Sequence, residues 1–288
     1  MISSVRDFPQ GRDVDIAFLD FGLGPADREW LAERGVMRVE PSVHLLSADG
    51  VVCRPSQVAL LVRPFLRENI PGYDVYLWID ADVWLQRWET VETYVTGAFE
   101  QGLAISHERT PSYRFQAWLL GWTAKHLLLG FGAARGLYLL SRPHLNAGIF
   151  AMRQDAPHWA AWVAHYRAAY DRSGAPAPHD QFSLNEVVHG GPFRRGLPTR
   201  ILPPHMNWIC DRGIPMWNDA AAAFCEPQAP YRVIGALHLA GPAKRTEYAV
   251  RRTRGGSFTA RLVYGTRPAD AAARPAAPGG PAGGVGTA

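Results

Sequence analysis

The chain has 288 residues, of which 47% are hydrophobic and 19% are charged, and its formal net charge is +4. A chain of this length can bury a sizeable core, and the composition excludes a collagen, a coiled coil and a small disulfide scaffold. The basic surplus is small and spread along the chain, so we expect no nucleic-acid partner. Cys53, Cys210 and Cys225 form no C-x-x-C pair, which favours a reducing, cytoplasmic compartment over a disulfide framework.

The first part of the chain alternates apolar strand patterns with helical patterns. Strands are predicted at 15–20, 37–40, 75–80 and 102–106, and helices at 2–8, 25–35 and 57–69. The strand at 75–80 (VYLWID) is the strongest, and its continuous apolar run is typical of a buried parallel strand. Alternating strands and helices predict an α/β fold with a mostly parallel, mixed sheet flanked by helices.

An apolar stretch from Trp118 to Leu140 separates this part from the rest of the chain. It contains Lys125, His126 and Arg135, each of which is costly at bilayer depth. We therefore predict a buried helix or an apolar face lying on a membrane surface, rather than a membrane span. The N-terminal segment also lacks the apolar core of a signal peptide.

The last part of the chain predicts further regular elements and a tail. A strand at 147–152, helices at 156–170 and 180–189, and a strand within VIGALHLAG are predicted there. Residues 267–288 are rich in Pro, Ala and Gly and have almost no large apolar side chain. That composition predicts a disordered tail.

Two carboxylates, Asp80 and Asp82, follow the strongest predicted strand. Their i, i+2 spacing places both on one side of an extended segment, at the carboxyl end of a strand, where open α/β sheets bind ligands. Two hard oxygen ligands there suit Mg²⁺ or Mn²⁺ bridging a diphosphate. The alternative is a solvated Asp-x-Asp turn. A phosphatase of the haloacid-dehalogenase type also has a D-x-D pair after a strand, but the later acidic pair it needs is absent from this sequence.

Four further segments give this pair a more specific context. The segment RPFLRENIPGYDVYLWIDADVWLQ resembles the corresponding stretch of family 8 retaining glycosyltransferases, in which an Arg precedes the first Asp by 17 positions, as Arg63 precedes Asp80. LNAGIFAM, HDQFSLN, LPPHMNW and ALHLAGPAK resemble later motifs of that family, in the same order. The resemblance spans roughly residues 14–245 and implies one glycosyltransferase-A-like catalytic domain over 1–266, with an apolar insertion at 108–145 and the tail at 267–288.

The resemblance implies a metal site. By it, Asp80, Asp82 and His238 would ligate Mn²⁺ or Mg²⁺, and two carboxylates with one imidazole suit an intermediate cation. Without the resemblance, His238 would be read as an ordinary core or surface histidine. Lys244 would supply positive charge to the leaving diphosphate, and Gly241 would let the backbone approach the phosphates.

The remaining implied contacts concern the donor sugar. Arg63 would hold the diphosphate or the sugar as a forked donor, and Asn146 would contact the sugar. Gln181 would lie beneath the anomeric carbon, and Asp180 would anchor a sugar hydroxyl. An amide is a poor nucleophile, so an ion-pair route to retention is favoured. Trp208 is the tryptophan that we expect near this site.

The sequence departs from the family pattern in three places. Phe182 stands where some members have a second acid, and Glu108 is only a stand-in for an Asp that often faces the sugar. The family's first strand, which carries nucleotide-base contacts, has no counterpart in the sequence.

The resemblance implies metal-dependent transfer of a sugar from a UDP-sugar, with retention of configuration. The implied acceptor is a glycan or a lipid-linked glycan, in the synthesis of a cell-surface glycan or a lipopolysaccharide. The alternative is a vestigial or N-terminally truncated sugar-nucleotide-binding protein. The expected location is cytoplasmic, with peripheral contact to the inner face of a membrane.

Overall fold

The computed structural model describes residues 1–42, 60–174 and 179–270. Its helices are α1 (Ile2–Arg6), α2 (Pro25–Ala32), α3 (Leu66–Asn69), α4 (Glu89–Gln101), α5 (Ala117–Leu140), α6 (His158–Ser173) and α7 (His179–His189). Its strands are β1 (Ala17–Leu19), β2 (Met37–Val39), β3 (Val75–Ile79), β4 (Val83–Leu85), β5 (Leu103–His107), β6 (Leu145–Arg153), β7 (Arg200–Leu202), β8 (Trp208–Ile209), β9 (Met216–Asn218), β10 (Ala223–Cys225), β11 (Ala236–His238), β12 (Glu247–Arg251) and β13 (Ser257–Arg261). Short 3₁₀ turns cover Arg63–Phe65, Pro204–Met206 and Gly241–Lys244.

A four-stranded mixed sheet in the order β3-β6-β5-β7 forms the centre of the molecule. Strand β6 is antiparallel to both β3 and β5, whereas β5 and β7 are parallel. The predicted α/β class is confirmed, but β3 does not pair in parallel with its neighbour β6. Tyr76 of β3 is buried and packs edge-on against buried Trp159 on α6, and the other four residues of the strand are half-buried. Burial of a strand makes it apolar whichever way its neighbour runs.

A second sheet has the strand order β4-β11-β8, and its strand β4 directly follows β3 in the chain. The chain leaves β3, turns through residues 80–82 with Val83 N donating to Asp80 O at 3.0 Å, and enters β4. Strand β11 pairs antiparallel with β4, which sets His238 opposite Val83. The turn that bears Asp80 and Asp82 therefore lies at the junction of two sheets, beside the end of β11.

A cavity of about 620 Å³ runs along the outer edge of β3. Its lining includes five consecutive residues of each of two segments, 15–19 around β1 and 75–79 of β3. Successive side chains of a strand point to opposite faces, so a cavity that meets all of them lies along the strand edges. The cavity separates the β1–β2 pair from the central sheet and reaches Arg63 and Asp80 at one end.

Helix α5 contains the apolar stretch of the sequence analysis. Gly132 has φ 75° and ψ 172°, which breaks the helical path within it. Leu127, Phe131 and Leu139 are buried, and the opposite face is exposed. Among the described residues, no helix has the length and apolarity needed to cross a membrane. The first residues of the predicted helix at 57–69, Cys53, and most of the predicted tail (271–288) lie outside the described residues.

Candidate functional site

Asp80, Asp82 and His238 come together at the junction of the two sheets. One ligand atom of each lies within 4.8 Å of the others. His238 Nε2 is 3.4 Å from Asp82 Oδ1 and 3.8 Å from Asp80 Oδ2. Two carboxylate oxygens and one imidazole nitrogen at these separations form a donor set that fits a divalent cation such as Mn²⁺ or Mg²⁺.

Lys244 adds a positive charge at the same place. Its Nζ lies 2.9 Å from Asp82 Oδ2, and its side chain is about half exposed. Burial opposes the ionisation of Asp82, but hydrogen bonds and charge from the imidazolium form of His238 and from Lys244 outweigh it and lower the pKa of that carboxyl. Asp82 is therefore a carboxylate at neutral pH, with an exposed ammonium group beside it.

Arg63 is buried between two carboxylates. Its Nη2 donates to Asp80 Oδ1 at 2.6 Å, and its Nη1 donates to Asp180 Oδ2 at 2.8 Å. Burial raises the pKa of Asp180, and the charge of Arg63 opposes that rise. From the family resemblance, Arg63 is expected to hold the diphosphate or the sugar. Here both arms of its guanidinium fork engage carboxylates, so this contact fixes the positions of Asp80 and Asp180.

Trp78 supports the same carboxylate from within β3. Its Nε1 donates to Asp80 Oδ1 at 2.6 Å, and the Arg63 Cζ atom lies 5.3 Å from the centre of the indole ring. Asp80 Oδ1 is thus held by two donors, while Oδ2 faces His238. One oxygen of Asp80 is therefore directed towards Asp82 and His238, the other two residues of the donor set.

A chain of hydrogen bonds sets the orientation of the His238 ring. Gly148 N donates to Asn146 Oδ1 at 2.8 Å, and because a backbone N–H can only donate, the amide orientation of Asn146 is fixed. Asn207 Nδ2 donates to the same oxygen at 2.9 Å, which leaves Asn207 Oδ1 as the acceptor 3.2 Å from His238 Nδ1. In the neutral ring the hydrogen therefore resides on Nδ1, and the lone pair of Nε2 faces Asp80 and Asp82.

Glycine at position 148 is required by close packing. A Cβ atom there would overlap the His238 ring and would lie 2.7 Å from Asn146 Oδ1. The backbone of β6 at Gly148 therefore packs directly against the His238 ring, with no side chain between them. Gly241 is different: it has φ +57°, with no described atom within 4 Å of a Cβ position. Its backbone conformation favours glycine, and the space beside it is open.

Glu108 ends the network on the side of β5. Its Oε1 accepts from Asn146 Nδ2 at 2.7 Å, and its Oε2 pairs with Arg212. The guanidinium of Arg212 in turn lies 5.2 Å from the centre of the Tyr113 ring. Glu108 therefore holds Asn146 in place, and the expectation that it faces the sugar stays a prediction.

Gln181 bridges β6 and the residue before it. Its Oε1 accepts from Ala147 N at 3.0 Å, and its Nε2 lies 2.8 Å from His144 Nε2. The backbone donor fixes the amide orientation, so Nε2 donates to His144. Burial lowers the pKa of His144, which keeps this ring neutral and able to accept. Gln181 is partly exposed while the neighbouring Asp180 is buried.

The structure thus brings most of the predicted residues into one network of contacts. Asp80, Asp82, His238 and Lys244 are in direct contact, and Arg63 joins Asp80 to Asp180. Asn207 was not among the residues predicted from the sequence, whereas its neighbour Trp208 was. Trp208 is fully buried, and its Nε1 donates to Gly213 O at 2.6 Å. The one sequence feature that could have indicated Asn207 is its position in the LPPHMNW loop. An isolated asparagine, however, does not indicate a particular role.

Comparisons with known proteins address the fold. No protein-family model and no curated protein matches the chain. The galactosyltransferase LgtC, solved in complex with donor and acceptor sugar analogues, matches with a TM-score of 0.51 and 17% identity, over 84% of this chain and 81% of LgtC. An active-site mutant of LgtC matches with a TM-score of 0.50 and 15% identity, over 84% of this chain and 83% of its own. The predicted fold is confirmed: the chain has the fold of the galactosyltransferase LgtC.

Proposed function

We propose that this protein is a metal-dependent glycosyltransferase that moves a sugar from a nucleoside diphosphate, UDP by family resemblance, to a glycan acceptor with retention of configuration. The observation that carries the proposal is the convergence of Asp80, Asp82 and His238 within 4.8 Å, with Lys244 Nζ 2.9 Å from Asp82. Two oxygen donors, one nitrogen donor and a half-exposed ammonium group suit a diphosphate bridged by a divalent cation.

The residues divide into ligands and supports. Asp80, Asp82 and His238 would hold Mn²⁺ or Mg²⁺, and a bound cation supplies positive charge to the diphosphate oxygens. Lys244, which is about half exposed, would place its ammonium group near the negative charge of the diphosphate and stabilise the leaving group. Arg63 holds Asp80 in place, and Asn207 keeps Nε2 of His238 directed at the carboxylates.

The transfer itself needs one bond to form and one to break. The acceptor hydroxyl oxygen bonds to the anomeric carbon, and the bond from that carbon to the diphosphate oxygen breaks with its electron pair on the diphosphate. The hydroxyl proton passes to a diphosphate oxygen, which gives a glycoside and UDP. Gln181 offers an amide oxygen that already accepts from Ala147 N. Because an amide is a poor nucleophile, this residue supports an ion-pair route with same-face attack.

Isothermal titration with UDP and Mn²⁺ tests the proposal. We expect Mn²⁺-dependent UDP binding by the wild-type chain, and a loss of at least 100-fold in affinity for Asp80→Asn and for His238→Ala. Asp27→Asn, an exposed carboxylate on α2, is the matched control and should bind as the wild type does. If the folded wild-type chain does not bind UDP with Mn²⁺, the proposal is wrong.

The second candidate from the sequence analysis, a sugar-nucleotide-binding protein without activity, gives a different result. It would bind UDP–Mn²⁺ but release no UDP from UDP-sugars in the presence of glycan acceptors. A coupled UDP-release assay with UDP-galactose and UDP-glucose therefore separates the two. Release that depends on Asp80 supports the transferase.

A further inference from the structure

The exposed face of α5 carries a row of large apolar side chains. Trp118 is 67% exposed and Leu129 is 51% exposed, and Phe115, just before the helix, is 80% exposed. Trp118, Trp122 and Leu129 are spaced i, i+4 and i+11, which places them within about 40° on one side of a helix with 3.6 residues per turn. A contiguous exposed apolar row on a globular protein marks an interaction surface.

The ionised side chains of this stretch of chain have one sign. Between residues 109 and 145 the chain has no Asp or Glu. Its exposed cations in that interval are Arg109, Arg114, Lys125, Arg135 and Arg142. Of these, Arg135 faces Glu186 on α7 at 3.3 Å. The surface thus offers positive charge beside aromatic and aliphatic side chains.

Lys125 helps to identify what such a surface contacts. It lies at i+7 from Trp118, within the apolar row itself. Lysine is depleted at protein–protein interfaces, whereas at a lipid surface it can extend its ammonium group to the headgroups while its methylenes stay among apolar neighbours. Tryptophan at the boundary and cations facing anionic headgroups are the features of a helix that lies in a membrane interface.

This surface lies close to the candidate site. The Trp122 ring is 6.0 Å from that of Phe182, which directly follows Gln181. Phe182 also packs against His144 at 5.3 Å, and His144 Nε2 accepts from Gln181 Nε2. Three side chains in contact, Trp122, Phe182 and His144, therefore link the exposed face of α5 to Gln181.

We propose that the exposed face of α5 docks on an anionic lipid bilayer. In combination with the proposed function, on which this consequence rests, the docked enzyme meets an acceptor glycan that is carried on a lipid. The apolar row enters the interface, the cations contact anionic headgroups, and α5 lies along the surface without crossing it.

Vesicle flotation of the full chain tests the proposal. Vesicles of phosphatidylcholine with 30 mol% phosphatidylglycerol are compared with vesicles of phosphatidylcholine alone. We expect at least tenfold stronger binding to the anionic vesicles, which falls as salt is raised because surface charges are screened. The double variant Trp118→Glu/Leu129→Glu should lose at least tenfold in binding. Phe99→Glu, which changes a 51% exposed phenylalanine on α4, should bind as the wild type does.

The outcomes separate this proposal from the proposed function. UDP–Mn²⁺ titration of the double variant should match the wild type, which also shows that the variant is folded. Absent vesicle binding, or binding that the double variant retains, overturns the docking surface. A wild-type dimer that the double variant converts to monomer, with no vesicle binding, assigns the face to a second copy and also overturns it. Vesicle binding without UDP binding leaves the docking surface standing and removes the transferase.

Discussion

The two ends of the β3–β6 ladder differ in the charge state of their titratable groups. At the end where β3 finishes, Asp80 and Asp180 share the guanidinium of Arg63, and Asp82 lies beside His238 and Lys244. At the end where β6 finishes, His158 is 1% exposed, and burial lowers its pKa to about 4. Charged groups persist in a low-dielectric region only with partners, whereas a titratable group without an opposite charge becomes neutral. The end near Asp80 therefore stabilises ionised side chains by pairing them, whereas the end near His158 buries a neutral side chain.

The largest effect should come from separating the carboxylates from their shared cation. Arg63→Met leaves Asp80 and Asp180 without the buried arginine, and removing one partner of a buried ion pair costs about 3–5 kcal/mol. We expect the free energy of unfolding, measured by urea denaturation, to fall by about that amount. Arg67→Met, on the more exposed α3 surface, is the control and should cost less than 1 kcal/mol. Equal losses in the two variants would contradict the role given to Arg63.

The second prediction concerns pH at the other end of the ladder. The folded pKa of His158, about 4, is below its unfolded value of 6.5. The unfolded chain therefore binds the proton more readily, so the contribution of His158 to stability is fully present above pH 6.5 and falls as the pH drops towards 4. At about 1.4 kcal/mol per pKa unit, the difference amounts to about 3 kcal/mol. His158→Gln should reduce the fall in unfolding free energy between pH 7 and pH 4, with UDP–Mn²⁺ binding at pH 7 unchanged. A pH profile identical to that of the wild type would show that His158 is not the group.

The third prediction tests the close approach of β6 to the histidine. In Gly148→Ala the added methyl group overlaps the His238 ring, so the ring must turn away from the carboxylates. We expect Mn²⁺-dependent UDP affinity to fall about 100-fold, the upper range for a support of a metal ligand. Gly121→Ala, where a Cβ meets no described atom within 4 Å, is the matched control. Retained affinity in Gly148→Ala would mean that His238 is not needed in its present orientation.

The smallest effect should follow from loosening the ring without displacing it. Asn207→Ala removes the acceptor of the His238 Nδ1 hydrogen, and we expect about a tenfold loss of Mn²⁺ affinity. Direct Mn²⁺ titration, followed by electron paramagnetic resonance of the free ion, measures this without turnover. Asn218→Ala, whose side chain accepts from the backbone N–H groups of Ala220 and Ala221, away from the candidate site, should leave Mn²⁺ affinity unchanged. A larger loss than in Gly148→Ala would point to a direct role for Asn207.

Much of the fold could be read from local pattern. The strands at β1, β2, β3, β5 and β6 and the helices α1, α2, α6 and α7 fall where periodicity and turn residues predicted them, because these signals are local. Helix α4 was not predicted, and neither were the strands β4, β7 to β10, β12 and β13. Most of these strands are only two or three residues long, too short for a period to be visible, and they form through pairing with distant segments.

The candidate site divides in the same way. The sequence by itself determined that Asp80 and Asp82 follow an apolar strand, and that His238 ends a later strand with Lys244 shortly after it, because an apolar run and its flanking polar residues are adjacent in the chain. Only the tertiary structure decided that Arg63 spans to Asp180, 117 residues away, and that Asn207 orients His238. It also decided that β6 runs antiparallel to β3. Such contacts depend on which elements pack together, and that choice is made by the burial energy of the whole chain rather than by any local pattern.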